Sequence, residues 1–303
     1  MSAKTDLTIG DQKVTVSNLQ KVLYPDAGFT KGEVIDYYIR VAPVLLPHLE
    51  DRPLTLKRYP EGVKGFFFYE KQCPKHRPGW VETTKVPSQR EAGHIDYCLM
   101  NDLPALVWVA NLADLELHTF LHRAPKIDRP NFVAFDLDPG PPADIRLCSE
   151  VGLWLKEIFD GWGLQSFPKT SGSKGLQVYV PLNTATTYDK TKPFAQALAQ
   201  RLEREHPDQV VSRMLKSLRK NKVLVDWSQN DEHKTTVCVY SLRAKDQPTA
   251  STPVTWDEVK KCAQGKTPLA FHCHETLDRV AKMGDLFAPV LTLKQKLPKL
   301  SDV

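Results

Sequence analysis

The stretch FVAFDLDPG, residues 132 to 140, places two carboxylates immediately after a run of apolar residues. Side chains alternate between the two faces of a strand, so Asp136 and Asp138 would lie on the same face. Neighbouring carboxylates repel each other, and each raises the pKa of the other unless a cation lies between them. The same residues also fit a strand that ends in a polar turn, because Asp, Pro and Gly favour turns. On this stretch alone, a metal site and a turn are both open.

Composition limits the classes of protein that the chain can belong to. Its 303 residues, 41% hydrophobic and 25% charged, are typical of one large or two modest globular domains. No apolar run is long enough to span a membrane, and MSAKTDLTIGDQ lacks the apolar core of a secretory signal. Six scattered cysteines form no dense framework, which favours a reducing environment. We therefore expect a cytoplasmic protein without a membrane partner, and the net charge of +5 permits a polyanionic one.

The pattern of strands and helices predicts the fold class. LTIGDQKVTVS is typical of a hairpin, and TKGEVIDYYIRVAPVLLPHL begins with Thr30 and Glu33 at the spacing of a helix capping box. LPALVWVANLADL predicts a buried helix before the strand ELHTF, and GFFFYEKQ predicts an aromatic strand with Phe66 and Phe67 in the core. Because strict βαβ alternation is absent, we expect an α+β fold whose largely antiparallel sheet carries the acidic strand.

Two further stretches supply residues that fit the acidic pair. In KTSGSKGLQVYV, residues 169 to 180, exposed N–H groups, the hydroxyls of Thr170, Ser171 and Ser173, and the Lys174 ammonium could cradle a phosphate. The spacing of a P-loop is absent, so a plain hairpin is the simpler alternative. VLVDWSQN, residues 223 to 230, ends an apolar strand with Asp226. Three carboxylates beside such a turn suit nucleotidyl transfer, which uses two divalent ions held by carboxylates.

Several collinear motifs resemble those of a known family. FDLDPG, TSGSKGL, VDWSQN and YSLR, together with KVLYP, TLKRY, FYEKQ and LELH, are similar to the polymerase domain of bacterial ligase D, over roughly residues 12 to 285. That domain belongs to the archaeo-eukaryotic primase superfamily and serves prokaryotic non-homologous end joining. The resemblance implies a primase-polymerase fold with a single catalytic domain over residues 1–290. Its part up to about residue 125 would contact DNA, the part from about 126 would carry the chemistry, and a basic tail would occupy residues 291–303.

The resemblance also implies a role for each matching position. The two ions, Mn²⁺ or Mg²⁺, would be held by the catalytic residues Asp136, Asp138 and Asp226. The substrate, an NTP or dNTP, would be bound by Lys57, His118, Ser171, Lys174, Gln177, Gln229 and Arg243. The 5′ phosphate at a double-stranded DNA end or gap would be bound by Asn18, Lys21 and Lys31. The DNA template or backbone would be contacted by Arg58, Phe68, Tyr69 and Arg219.

One position departs from the family pattern, which has a histidine where this chain has Gln177. Glutamine donates a hydrogen bond but carries no positive charge. Losing one charge-assisted contact to a phosphate would slow the reaction roughly tenfold. We therefore expect Gln177→His to raise the rate of single-nucleotide insertion.

The function that these features predict is template-directed nucleotidyl transfer, DNA or RNA synthesis that fills gaps and extends ends during break repair, with a preference for ribonucleotides. A nuclease is a second possibility, because metals held by carboxylates also cleave phosphodiesters; the cations assigned to the triphosphate argue against it. A third is an end-binding or end-bridging module with weak or no polymerase activity. No K-x-D-G motif of an adenylating ligase is present, so the resemblance implies Ku and a separate ATP-dependent DNA ligase as partners, at the nucleoid.

Overall fold

The computed structural model describes residues 4–88 and 93–303, which form two compact units. Unit 1 comprises the chain up to Pro125 with Val237–Ala250 and Phe271–Gly284. Unit 2 comprises Lys126–Thr236, Ser251–Ala270 and Asp285–Val303. The first boundary, at Pro125, lies near the end of the predicted N-terminal part, but later segments of the chain return to unit 1.

The described residues form seventeen strands and seven helices, numbered here in chain order. The strands are β1 (Lys4–Ile9), β2 (Gln12–Ser17), β3 (Val22–Tyr24), β4 (Phe29–Thr30), β5 (Leu54–Arg58), β6 (Phe68–Glu70), β7 (Thr83–Ser88), β8 (Gly93–Cys98), β9 (Asp114–Thr119), β10 (Phe132–Pro139), β11 (Phe167–Thr170), β12 (Leu176–Pro181), β13 (Val210–Val211), β14 (Val223–Asp226), β15 (Thr236–Val237), β16 (Leu242–Ala244) and β17 (Pro248–Ala250). The helices are α1 (Lys31–Leu49), α2 (Leu103–Asn111), α3 (Ile145–Gly161), α4 (Tyr188–Glu205), α5 (Trp256–Ala263), α6 (Cys273–Met283) and α7 (Pro289–Thr292).

Unit 1 is built around a sheet of order β15-β9-β5-β8-β7, in which β6 also pairs with β5. Strand β5 runs antiparallel to β6, β8 and β9. Helix α1 begins at the capping box that the sequence predicts: the Glu33 N–H donates to Thr30 Oγ1 at 3.3 Å, and the Thr30 N–H donates to Glu33 Oε2 at 2.7 Å. The hairpin β1–β2 and the sequence of buried helix α2 followed by β9 are likewise confirmed.

Unit 2 holds the acidic strand at the centre of a sheet of order β11-β12-β10-β14-β13. All its pairings are antiparallel except that of β13 with β14, so the predicted α+β class with largely antiparallel strands is confirmed. Along β10, Val133, Phe135 and Leu137 are fully buried. Leu137 lies on the side covered by α3, since a side chain placed at Gly152 of that helix would approach it. Alternation therefore turns Asp136 and Asp138 to the other face.

The core assignment of two aromatic residues is wrong. Phe66 and Phe67 are 70% and 47% exposed, because strand β6 begins only at Phe68 and the two residues precede it. Their rings stack on neighbours at the surface, Phe66 on Phe68 at 5.9 Å and Phe67 on Tyr59 at 5.2 Å between centroids. The triple phenylalanine is therefore an exposed aromatic surface of unit 1.

The cysteines also differ from the expectation of an unpaired set. Cys73 and Cys98 form a disulfide that joins the segment after β6 to the end of β8. The sequence did not predict this disulfide, because the two cysteines are 25 positions apart and only the fold brings them together. The other four, Cys148, Cys238, Cys262 and Cys273, are buried free thiols. Across residues 4–88 and 93–303, every helix is too short or too polar to cross a bilayer.

Candidate functional site

The three predicted metal-binding carboxylates of unit 2 meet on adjacent strands. Asp136 on β10 lies directly opposite Asp226 on β14, and Asp138 follows two residues later on the same face of β10. The register thus brings together residues that are 90 positions apart in the sequence. The antiparallel pairing of β10 with β14 is what makes the acidic pair a cluster of three.

Asp136 lies on the central strand of this cluster, between Gln177 on β12 and Asp226 on β14. Its Oδ1 is buried and makes no hydrogen bond to any residue that the structure describes. Burial, followed by the charges of Asp138 and Asp226, raises the pKa of Asp136 to about 7. Gln177, directly across the β10–β12 ladder, lowers the pKa as a hydrogen-bond donor, and the Lys169 charge acts in the same direction. An unpartnered carboxylate oxygen among like charges fits a hard divalent cation, which takes oxygen ligands.

Asp226 is held by its own loop. Its Oδ1 accepts hydrogen bonds from the Ser228 N–H at 2.8 Å and the Ser228 hydroxyl at 2.6 Å, and its Oδ2 accepts one from Gln229 Nε2 at 3.1 Å. The Asp226 carboxylate thus already binds groups of its own loop. Within the described part of the chain, no three His, Cys, Asp or Glu side chains lie close enough together to hold a metal ion. The three aspartates are neighbours by register without being a closed ligand set.

The glycine- and serine-rich turn lies against the end of the acidic strand. The Ser171 hydroxyl accepts from the N–H groups of Ser173 and Gly175 at 3.2 and 3.1 Å, so it shapes the turn itself. A Cβ at Gly175 would lie 2.3 Å from the Leu137 carbonyl oxygen and 3.6 Å from Asp138 Oδ1. Only glycine permits this approach. Lys174 is exposed at the tip of the turn, next to Gly175.

The basic loop, residues 212 to 222, lies at the same end of β10. A Cβ at Gly140 would lie 1.9 Å from the Arg219 carbonyl oxygen, and the Gly140 N–H donates to the Lys222 carbonyl at 2.8 Å. The Arg219 guanidinium donates to the Met214 carbonyl at 2.7 Å, which fixes it within the loop. Gly140, the last residue of FVAFDLDPG, therefore allows the backbone of the basic loop to pack at the end of the acidic strand.

Gln177 lies within unit 2 rather than at its surface. It is 2% exposed, its Oε1 accepts from the Lys169 ammonium at 2.5 Å, and its Nε2 donates to the Thr236 hydroxyl at 3.1 Å. Lys169 is itself 1% exposed and also donates to Ser251 Oγ at 2.7 Å. Sequence analysis missed Lys169; its position in the buried strand β11, immediately before TSGSKGL, was the available signal.

Unit 1 carries a second cluster, organised by a carboxylate that sequence analysis also missed. Glu116 on β9 is 1% exposed. It lies 3.3 Å from the Lys57 ammonium, 3.0 Å from His118 Nε2 and 3.4 Å from Arg243 Nε. Its Oε1 also accepts the Ala244 N–H at 3.1 Å. The signal was the alternation in DLELH, which puts the second acid and the histidine on one face of a buried strand.

The charges of this cluster explain its protonation. Burial alone would raise the pKa of Glu116, but the hydrogen bond with His118 and the charges of Arg243 and Lys57 lower it below its ordinary value. Burial also lowers the pKa of His118, against the pull of Glu116. One carboxylate thus holds three of the predicted nucleotide-binding side chains, two of them permanent cations.

Aromatic rings surround the lysine of this cluster. The Lys57 ammonium lies 4.9, 5.3 and 5.4 Å from the ring centroids of Phe67, Tyr59 and Tyr69. Tyr69 is 57% exposed and lies beside His118 at 6.0 Å between centroids. These contacts orient an ammonium without neutralising it. The predicted template-stacking residue Tyr69 is therefore at the surface and free to stack.

A third group in unit 1 holds the residues predicted to bind a 5′ phosphate. Asn18, at φ +56°, starts a turn in which the Lys21 N–H donates to the Asn18 carbonyl at 2.9 Å. The Lys31 N–H donates in turn to the Lys21 carbonyl at 2.8 Å. Lys31 is 6% exposed, and burial, then the charges of Lys21 and Arg58, lower its pKa to about 8.

The acids near this group pair with the other two cations. Lys21 lies 3.4 Å from Glu61, and Arg58 lies 2.7 Å from Glu70 while its guanidinium covers the Phe68 ring at 5.2 Å. For Lys31, the described residues place no carboxylate within ion-pair distance. A buried, unneutralised ammonium beside two other cations suits an anionic ligand.

Taken separately, the two units have the equipment of one class of enzyme. Strand-end carboxylates beside a glycine-rich turn suit metal-assisted transfer of a nucleotidyl group, and clustered cations suit the phosphates of its substrate. Comparisons with known proteins agree. Residues 30–287 match the family model of the LigD primase-polymerase domain, so the chain belongs to that family of nucleotidyltransferases.

Individual relatives give the extent of the likeness. The chain is 40% identical over 283 residues to the multifunctional non-homologous end joining protein LigD of Mycolicibacterium smegmatis, covering 92% of this chain and 36% of that protein. It is 32% identical over 273 residues to the bifunctional LigD of Bacillus subtilis, covering 90% and 43%. The polymerase domain of Mycobacterium tuberculosis ligase D, solved in complex with DNA, is 38% identical with a TM-score of 0.87, covering 94% of this chain and all of that one. The chain thus spans about two fifths or less of these curated relatives.

Proposed function

We propose that this protein is a primase-polymerase that carries out template-directed addition of nucleotides to a DNA primer at gaps and broken ends. One observation carries the proposal: Asp136 and Asp226 face each other across β10 and β14, with Asp138 beside them and the Gly175 turn packed against the same strand end. Family membership supports it, since the relatives are end-joining proteins.

The residues of unit 2 fit two divalent cations, Mn²⁺ or Mg²⁺. Asp136, Asp138 and Asp226 would hold them, and the unpartnered Oδ1 of Asp136 offers a ready ligand. When bound, such ions neutralise phosphate charge and activate the attacking hydroxyl. The protein must supply ionised carboxylates at this place, which Gln177 favours as a hydrogen-bond donor toward Asp136.

Each unit carries side chains that we propose to bind phosphate groups of an NTP or dNTP. Lys57, His118 and Arg243 are arranged by Glu116 in unit 1, and Lys174 is exposed on the turn of unit 2. Ser171 would contribute through the turn that it shapes, and Gln229 through its place beside Asp226. A preference for ribonucleotides requires a contact to the 2′-hydroxyl, for which His118 and Ser171 are the candidates.

DNA would be bound by the remaining cations and aromatic residues. Lys31, Lys21 and Asn18 would hold a 5′ phosphate, Tyr69 and Phe68 would stack on template bases, and Arg219 with Arg58 would follow the backbone. The buried Lys31, with Lys21 and Arg58 near it, also favours a second candidate function, an end-binding or bridging module without strong catalysis. Ku and an ATP-dependent ligase are the proposed protein partners.

One assay separates these functions. The protein is incubated with a 5′-phosphorylated gapped duplex, Mn²⁺ and each NTP or dNTP in turn. Extension of the primer supports the polymerase, shortening indicates a nuclease, and a mobility shift without a chemical change selects the binding module. Comparing UTP with dTTP, and repeating the series with Mg²⁺, tests the sugar preference and the metal.

A further inference from the structure

Lys169 has an unusual position for a lysine: it is fully buried on β11, in one row with Gln177 on β12 and Asp136 on β10. Its ammonium donates to Gln177 Oε1 at 2.5 Å and to Ser251 Oγ at 2.7 Å, and it lies 5.4 Å from the centroid of the Tyr179 ring. The Ser251 hydroxyl donates a hydrogen bond to the Thr170 carbonyl at 2.8 Å, so its oxygen can accept one from Lys169. Burying a lysine ammonium costs free energy unless the charge is paired or hydrogen-bonded.

The partner of Lys169 has two chemically different ends. A glutamine amide presents an acceptor at Oε1 and donors at Nε2, and nothing in its shape distinguishes them. A lysine ammonium donates and never accepts. Contact with Lys169 therefore requires Oε1 on that side, and Nε2 then faces the opposite side, where it donates to the Thr236 hydroxyl at 3.1 Å.

Asp136 lies on the side to which Nε2 is turned. It is the register partner of Gln177, and the amide acts on its carboxylate as a hydrogen-bond donor. If the amide turned over, Oε1 would face the carboxylate and Nε2 would face the ammonium. Two acceptors would then meet on one side and two donors on the other.

We propose that Lys169 is a positioning residue that holds Gln177 with its donor end toward Asp136, and that this orientation supports binding of a divalent cation by the carboxylates. The inference rests on the proposed function in one respect, namely that Asp136 is a metal ligand. Lys169 itself touches neither the substrate nor the metal.

The direction of the effect separates this role from direct repulsion between Lys169 and the metal, and the variant cycle below separates it from the effect of the Lys169 charge on Asp136. A buried positive charge repels a divalent cation, so its removal would by itself tighten Mn²⁺ binding. Removing a residue that orients a ligand's hydrogen-bond partner weakens metal binding by roughly tenfold or more. We therefore expect Lys169→Met to lower Mn²⁺ affinity about tenfold.

The test is Mn²⁺ titration of the full chain, followed by the loss of the electron paramagnetic resonance signal of free aqueous Mn²⁺. Lys169→Met, Gln177→Leu and the double variant form a cycle. The inference requires that Lys169→Met weaken binding in the unaltered protein and cause no further loss once Gln177 is leucine. Tighter or unchanged binding by Lys169→Met, or equal losses in both backgrounds, would overturn it.

Two controls make the failures distinguishable. Lys156→Met removes an ammonium of the same unit that pairs with Asp160 and lies over Trp256, and it should leave Mn²⁺ affinity unchanged. Asp136→Asn should abolish tight binding. If Asp136→Asn binds Mn²⁺ as the parent does, the proposed metal site fails; if only the Lys169 cycle gives no effect, this inference alone fails.

A measurement without substitutions covers the case in which Lys169→Met does not fold. In the unaltered protein, nuclear magnetic resonance of the ¹⁵N-labelled side-chain amides reports the exchange of the Gln177 NH₂ protons with water. Protons held between Thr236 and Asp136 should exchange far more slowly than those of the exposed Gln20. Exchange at the rate of Gln20 would contradict the fixed orientation and overturn the inference.

Discussion

The acidic groups of the two units have opposite charge environments. In unit 2, three aspartates share neighbouring positions on β10 and β14, and Asp136 has an oxygen without a partner. In unit 1, the single carboxylate of Glu116 is approached by Lys57, His118 and Arg243. One cluster has an excess of negative charge and the other an excess of positive charge. The aspartate cluster is suited to cations and the Glu116 cluster to phosphates, so the sign of the excess charge in each cluster indicates the kind of ligand.

The two clusters also shift the pKa of their carboxylates in opposite directions. Glu116 is kept ionised by direct ion pairs, which lower its pKa. Asp136 has neighbours of its own sign, and its pKa is raised to about 7. The first carboxylate is a structural anion at every physiological pH, whereas the second is poised between protonation and metal binding.

The strongest test of the acidic cluster is Asp136→Ala. Because the variant removes the buried ligand, we expect primer extension to disappear, a loss greater than about 10²-fold, while binding to a 5′-phosphorylated end is retained. Extension on a gapped duplex and a mobility-shift titration are measured together. Asp128→Ala, which changes an exposed aspartate of the same unit, should extend normally. Retained extension by Asp136→Ala would remove the carboxylates from the mechanism.

The strongest test of the cationic cluster is Glu116→Gln. It leaves buried positive charges without their counter-ion, so we expect the free energy of unfolding to fall by about 3 kcal/mol. Since the pKa of Glu116 is lowered by folding, its contribution is complete at neutral pH and is lost as the pH falls below the ordinary value of 4.5. Urea unfolding at several pH values measures both effects.

The control for that measurement is Glu50→Gln, which breaks an exposed pair with Arg123 and should change stability by less than about 0.5 kcal/mol. Equal effects of the two variants would show that Glu116 does not organise its cluster.

The raised pKa of Asp136 predicts a pH dependence for metal binding. Protons and Mn²⁺ compete for the carboxylate, so Mn²⁺ affinity should increase from about pH 5 to about pH 8, with most of the change below the pKa of about 7. Titrations of the parent protein and of Asp136→Asn across this range measure it. A pH profile that is the same in both proteins would assign the change to another group.

Lys57→Met tests the cationic cluster from the substrate side. The lysine is oriented by Glu116 and three rings, so its loss should raise the KM for NTP about tenfold with a smaller effect on stability. Steady-state insertion kinetics give KM and kcat separately. Lys64→Met, at an exposed lysine paired with Asp26 and Asp246, is the matched control and should leave KM unchanged.

The smallest expected effect concerns Lys31. With a pKa of about 8, its ammonium is charged at pH 7 and largely neutral at pH 9. The preference for a 5′ phosphate over a 5′ hydroxyl should therefore fall by a factor of about 3 to 10 over this range. Lys31→Arg, which stays charged, should keep the preference constant. Fluorescence anisotropy with the two duplexes measures it, and a constant preference in the parent would contradict the role of Lys31.

The extent to which sequence predicted these clusters differs between the units. Asp136, Asp138 and Asp226 could be found because they follow runs of apolar residues, a local pattern. Glu116 and Lys169 were missed because an acid or a lysine inside a short strand has no local mark of its partners. Phe66 and Phe67 were misplaced because hydrophobicity predicts burial and does not reveal that the strand begins only at Phe68, three residues after the predicted start at Gly65.

The amino-acid sequence was sufficient to predict the α+β class, the capped helix α1, the acidic strand and the family to which the chain belongs, because each rests on short-range periodicity or on collinear motifs. Three contacts became visible only in the folded chain: Asp226 lies opposite Asp136, Glu116 binds three side chains, and Cys73 pairs with Cys98. Strand order and register set these contacts. They depend on how distant segments bury their apolar faces together, and no single segment contains that information.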